Sequence, residues 1–186
     1  LDRREATRRN GRITANRWRA ERGYALLPEP GPGVFVDHLK PMVIISLGTG
    51  VRRGELFQLR WEKINWKSRL ISVAGDTAKS GQTRHISMNR EVERTVSQWW
   101  KQCGSPLEGL IFETRGRPMV EVKTAWKRLL LSARISQFRW HDLRHDFASQ
   151  LAQCGVDLNA IRELLGHTDL KMTLRYAHLC PNTTAT

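Results

Sequence analysis

From residue 34 onward the sequence is a run of short apolar segments, several of them cut by glycine or by a small Gly/Asp/Ser cluster. This punctuation limits the chain to short elements. Val34–Leu47 has helical apolar spacing and stops at Gly48-Thr49-Gly50, where glycine can take the left-handed backbone that ends a helix. A second helix is expected near Arg52–Trp61, with Leu56 and Leu59 on one side. Leu70-Ile71-Ser72-Val73 and Arg84-His85-Ile86-Ser87-Met88 have the look of short strands. Gly75-Asp76 and Ser80-Gly81 between them predict a hairpin with a long turn. Helical spacing returns at Glu91–Cys103, Val120–Ile135 and Asp142–Cys154, the last with Leu143, Phe147 and Leu151 at i, i+4 and i+8. Asp157 is placed to cap a short helix holding Leu158, Ile161, Leu164 and Leu165, and Gly166 to end it. A last helix, capped by Thr168 or Asp169, is expected to hold Tyr176. There is no internal repeat. The expected fold class is mainly α with a small antiparallel β-sheet (α+β).

Charge narrows the partner. Lys and Arg number 31 against 18 Asp and Glu, a net charge of +13. An excess of that size points to a polyanion, with nucleic acid first. Residues 1–22 hold eight arginines (3, 4, 8, 9, 12, 17, 19 and 22) against Asp2, Glu5 and Glu21. They form either a solvated helix face or a phosphate-contacting one. The expected organisation is a basic helix or arm over 1–27, a Pro/Gly loop over 28–33 and one domain over 34–186. Cys103, Cys154 and Cys180 are far apart and form no C-x-x-C pair, so neither a zinc ribbon nor a disulfide framework is suggested. Reduced thiols and a cytoplasmic location are the simplest expectation. No apolar run is long enough to span a bilayer, and Leu1-Asp2-Arg3-Arg4 is not a secretory signal. Without an initiating Met, the chain has the look of an excised piece.

Taken singly, the residues that could carry chemistry are unremarkable. Arg52 follows the Gly48-Thr49-Gly50 turn at a helix start, where an anion could meet a guanidinium and free backbone N–H groups. His141 and Arg144 are three apart and share a helix face. Lys79 lies in the turn between the two strands, and His167 follows a helix-stopping glycine. Tyr176 comes nine residues after His167. Each has a bland alternative as a solvated or packed side chain.

As an ordered set they are specific. Thr49-Gly50-Val51-Arg52-Arg53-Gly54-Glu55-Leu56 is followed by Lys79 and then by His141-Asp142-Leu143-Arg144-His145. Leu165-Gly166-His167 and Arg175-Tyr176 close the series. This succession strongly resembles the tyrosine recombinase (phage integrase) family over roughly residues 34–180. The resemblance implies the integrase catalytic-domain fold for 34–186, with the family's amino-terminal core-binding domain absent. It implies a catalytic set of Arg52, Lys79, His141, Arg144, His167 and Tyr176, supported by Glu55. The implied partners are double-stranded DNA, further protomers in a tetrameric synapse, and accessory DNA-bending proteins. No cofactor, metal or membrane is implied.

These residue types suit the implied transesterification. A tyrosine oxygen attacks a DNA phosphorus, leaving a 3′-phosphotyrosine and a free 5′-hydroxyl, so no ATP is needed. Charge grows on the five-coordinate phosphorus, and the forked guanidiniums of Arg52 and Arg144 answer it. His167 adds a donor. A phenol ionises only near pH 10, so the nucleophile needs a base, for which His141 is the expected candidate. Lys79 is the expected acid for the leaving oxygen. A type IB topoisomerase would use a similar set without partner exchange. A non-catalytic DNA-binding domain would have no need of Tyr176, and a helical RNA-binding protein would explain the charge but not the ordered motif.

Overall fold

The computed structural model describes residues 1–31, 33–75, 83–114 and 116–181. In chain order these form α1 (Asp2–Ala20), α2 (Leu39–Thr49), α3 (Arg53–Phe57), β1 (Ile64–Asn65), β2 (Leu70–Val73) and β3 (Arg84–Ser87). There follow α4 (Arg90–Gln102), β4 (Glu113–Thr114), β5 (Arg117–Pro118), α5 (Lys123–Ala133), α6 (Asp142–Gln153), α7 (Leu158–Leu165) and α8 (Lys171–Leu174). Tight 3₁₀ turns lie at Trp61–Lys63 and Ala177–Leu179. The architecture is mostly helical with small antiparallel sheets, as the punctuation predicts.

The basic stretch is the helix α1, and polar groups tie it down. Arg4 reaches Asp37 at 3.0 Å, the Glu5 carboxylate accepts the Val36 N–H at 3.1 Å, and Asn16 exchanges two hydrogen bonds with the backbone of Leu27. These contacts explain why α2 starts later than its apolar spacing suggests. The Phe35 N–H and carbonyl are both bonded to the Gln102 amide at the end of α4, at 2.9 and 2.8 Å. With residues 35 and 36 so engaged, helix begins only at Leu39, whose N–H is accepted by the Asp37 carboxylate at 3.0 Å. Pro41 then falls in the first turn, where a missing N–H costs nothing.

The main sheet runs β1-β2-β3, all antiparallel, with Ile71 opposite both Ile64 and Ile86 and Val73 opposite Arg84. The two-residue strand β1 and the β4–β5 pair were too short to carry a sequence signal. The inward side of the sheet packs with Leu39, Met42 and Ile45 of α2, Leu56 of α3, Val92 and Val96 of α4, and Phe112, forming the larger core. Each such side chain, fully buried, contributes about 1.5–3 kcal/mol. A second, smaller core joins Ala148 and Ala152 of α6 to Ile161 and Leu165 of α7 and to Tyr176.

Gly50 joins the two cores. It ends α2 in left-handed conformation (φ 63°), as predicted. A Cβ there would collide with the ring of Phe147 on α6. Only glycine both makes the turn and lets α6 come close. Among the described residues no helix is long and apolar enough to cross a membrane.

Candidate active site

The end of α7 organises the site. The last carbonyls of a helix have no partner within it and carry its negative dipole end. Here three consecutive carbonyls each accept from a different arginine. Leu164 O takes Arg84 Nε at 2.9 Å, Leu165 O takes Arg144 Nη2, and Gly166 O takes Arg52 Nη2 at 3.1 Å. Gly166 makes this possible by ending the helix at φ 62°. Asp157 starts the same helix by accepting the N–H groups of Asn159 and Ala160, as its position predicts.

Glu55 binds two of the three guanidiniums. Its Oε1 accepts from Arg52 Nη1 (2.9 Å) and Arg84 Nη1 (3.1 Å), and its Oε2 from Arg84 Nη2 (2.6 Å) and the Arg52 backbone N–H (2.7 Å). The last bond also caps α3, for which Arg52 is the first flanking residue. Burial by itself would raise the Glu55 carboxyl. The hydrogen bonds and charge of Arg84, joined by those of Arg52, outweigh it and hold the group below its ordinary value. Arg144 makes its other bond to Gly50 O at 2.7 Å, so its fork spans the α2 turn and the α7 end. Burial first, then the charge of Arg52, lowers this guanidinium to about 9, which still leaves it protonated at neutral pH. Three guanidiniums thus face one carboxylate. The excess positive charge makes this a place that favours an anion.

Three more of the predicted residues, His141, His167 and Tyr176, are described nearby. His167 follows Gly166 and is held through Nδ1 by the Thr173 hydroxyl at 2.8 Å. Its burial and the charges of Arg144, Arg52 and Arg84 push it down to about 4, so it is a neutral imidazole at pH 7. His141 precedes α6, and its ring meets that of His145 edge-to-face at 4.8 Å. Tyr176 is 5% exposed, and its hydroxyl lies 2.6 Å from His145 Nδ1. Burial raises this phenol, while the nearby charges of Arg175 and Arg144 act against the rise. Tyr176 does not lie on a helix as expected. The Tyr176 N–H bonds Thr173 O, three residues back, so the chain tightens after Leu174 and the tyrosine sits in the turn before Ala177. Lys79 lies outside the described residues.

Two residues of the site escaped the sequence reading, and both left a signal. Arg84 shares the inward parity of β3 with Ile86 and is 8% exposed. A cation at an apolar position of a strand announces a buried partner. His145 lies one helical turn after His141 on the same face of α6.

Residues 37–182 match the model of the phage integrase family. The chain belongs to that family. It is 30% identical over 156 residues to the integrase of Salmonella phage P22, covering 78% of this chain and 40% of that protein. It is also 30% identical over 166 residues to the tyrosine recombinase XerD of Vibrio vulnificus, covering 83% of this chain and 53% of that protein. The chain thus spans about half the length of the curated relatives it matches. Among solved structures, the Tn1549 transposon integrase in complex with circular intermediate DNA superposes with a TM-score of 0.65 at 26% identity, over 78% of this chain and 56% of that one. The catalytic domain of bacteriophage HP1 integrase gives 0.59 at 25%, over 78% and 77%. The fold of this family member is that of a tyrosine recombinase catalytic domain.

Proposed function

We propose that the chain carries out site-specific DNA strand exchange through a covalent 3′-phosphotyrosine at Tyr176, in the integration or excision of a phage or other mobile element. The observation that carries this reading is the seating of Arg52 and Arg144 on neighbouring carbonyls, Gly166 and Leu165, with the phenol of Tyr176 buried and bonded at 2.6 Å to His145, the residue after Arg144.

A DNA phosphate enters the anion pocket and meets both guanidiniums. Among the described residues each of these arginines keeps N–H groups beyond those it gives to the protein. Held on backbone carbonyls, the forks need no rearrangement as charge grows at phosphorus, and such preorganisation is the largest part of most rate enhancements. His167, neutral until the anion arrives, and His141 add donors. Tyr176 Oη bonds to phosphorus, the bond from phosphorus to the 5′ oxygen breaks, and Lys79 protonates the departing oxygen. The freed 5′-hydroxyl of a partner duplex reverses the step and rejoins the strands. The working assembly is a tetramer on double-stranded DNA, helped by DNA-bending proteins, in the cytoplasm where that DNA lies.

The test uses a pool of nicked duplexes with randomised sequence beside the nick, so that cleavage releases a short fragment and traps the adduct. The expected product is a denaturant-stable protein–DNA complex with mass mapping to Tyr176. An adduct on Tyr24, or none from any duplex, would overturn the reading. Paired sites should then yield exchanged products; relaxation of supercoiled plasmid without exchange would place the chain with the type IB topoisomerases instead.

A further inference from the structure

We propose that His145 is the group that takes the hydroxyl proton of Tyr176 as its oxygen attacks phosphorus, an assignment that rests on the transesterification proposed above. The geometry is direct. Oη of Tyr176 and Nδ1 of His145 are 2.6 Å apart, the distance of a strong O–H to nitrogen hydrogen bond. The tyrosine is packed into the smaller core against α6 and α7, with 5% of its surface exposed, so bulk water has little access to that proton. A base within hydrogen-bond reach of the proton it removes satisfies the first requirement for general base catalysis.

The surroundings keep His145 ready to accept. Facing it are His141 and Asp142 from its own helix, Arg139 from the segment before it, and Arg175 beside the tyrosine. Burial, then the influence of His141 and Arg175, holds the imidazole below its ordinary value, with Asp142 acting the other way. A neutral ring with hydrogen on Nε2 leaves Nδ1 free to receive the hydroxyl. His141 has no hydrogen bond to the phenol among the described residues; its ring meets that of His145 edge-to-face at 4.8 Å, and it shares its helix face with Arg144. It is therefore assigned to the phosphate, and the proton to His145.

The step balances. The Oη–phosphorus bond forms as the O–H proton passes to His145 Nδ1, giving an imidazolium. The bond from phosphorus to the 5′ oxygen breaks, and that oxygen takes its proton from Lys79. On religation the imidazolium returns its proton to the departing phenol oxygen.

The discriminating variant is His145→Asn. Its amide oxygen occupies nearly the place of Nδ1 and can accept the hydrogen bond, but it cannot carry the proton. In single-turnover adduct formation on the nicked duplex recovered from the pool, His145→Asn should be roughly 100-fold or more slower than the native chain. Its rate should climb with pH as hydroxide supplies the phenolate, where the native rate has levelled. A rate within about threefold of native overturns the proposal. Replacing the bridging 5′ oxygen by sulfur gives a leaving group that needs no acid. Lys79→Ala should recover on that substrate and His145→Asn should not; recovery of the latter would move His145 to the leaving-group side and overturn the assignment. Nitrogen-15 NMR of the histidines in the full DNA-free chain stands apart from activity. Nδ1 of His145 should resonate as an unprotonated acceptor and shift in Tyr176→Phe. A hydrogen found on Nδ1 sinks the proposal even if adducts form, whereas a native chain that never forms an adduct sinks the recombinase reading and leaves this measurement to judge the hydrogen bond.

Discussion

The two sides of the site are built differently. On the arginine side, Arg52, Arg84 and Arg144 come from three separate elements, and each is fixed to backbone or carboxylate by at least two bonds. Glu55 and Arg84 there are 3% and 8% exposed. On the tyrosine side, Tyr176 sits in a turn after the four-residue helix α8, packs in the smaller core and is held at its oxygen by His145. The contrast follows from the chemistry. Groups that meet developing charge work best when already in place. A nucleophile that must form and break a bond to DNA needs a support that can yield.

If the arginine side is as rigid as its bonds suggest, removing one buried partner should cost the most. Arg84→Met leaves Glu55 with no partner for a buried charge but Arg52, and breaking a buried pair from one side costs about 3–5 kcal/mol. Urea unfolding followed by tryptophan fluorescence should show that loss. A change below about 1 kcal/mol would mean that the Glu55–Arg84 pair is no anchor. Next comes Arg144→Lys. A single ammonium cannot span Gly50 O and Leu165 O while presenting donors to a phosphate. Adduct formation should fall roughly 100- to 1000-fold, the usual loss for one preorganised charge-stabilising donor, and the carbonyl left unpaired should cost about 1–3 kcal/mol of stability. Cleavage near the native rate would show that the fork is not used as a fork.

The same contrast separates what could be read in the sequence from what could not. Gly50, Asp157 and Gly166 were legible because turn and cap chemistry is local: a residue that must adopt φ near +60° or accept N–H groups two and three residues on declares itself. The hairpin strands showed in their composition and in the turn residues between them, and Arg52, Glu55, His141, Arg144, His167 and Tyr176 showed in their order along the chain. What stayed hidden depends on distant partners. The late start of α2 is set by Gln102 and Glu5, which lie 67 and 31 residues from the groups they bind. Arg84 matters because it meets Glu55, 29 residues away, and His145 because it meets Tyr176, 31 residues away. A pattern of spacing shows which face a residue is on, not what waits across from it.

Burial of His167, together with the charge of the arginines around it, also has a stability cost that pH should expose. His167 titrates at about 4 in the folded chain, below its ordinary value of 6.5. As pH falls through that window the unfolded chain binds this proton before the folded one does, so stability is lost on acidification. His38, His141 and His145 are shifted in the same direction by burial and act together with it. Unfolding free energy should therefore decline from about pH 6.5 toward pH 4, and His167→Gln should make the decline shallower. An unchanged slope in that variant would mean that the three arginines do not exert their field on His167, and the anion pocket would lose its electrostatic basis.

The smallest effect tests whether α7 works through its end or through its bulk. Asp157 caps the first turn, and replacing such a cap by alanine costs about 1 kcal/mol. The three carbonyls that hold the arginines lie at the other end, where Gly166 fixes the backbone. Asp157→Ala should lower the unfolding free energy by that amount and leave the adduct rate within about twofold of native. Hydrogen exchange can report both ends in one experiment: amides at Asn159 and Ala160 should exchange faster in the variant, while those at Gly166 and His167 should keep their protection. Faster exchange at both ends together with a slower adduct would show that α7 melts as one unit. The arginine side would then be no firmer than the helix that carries it.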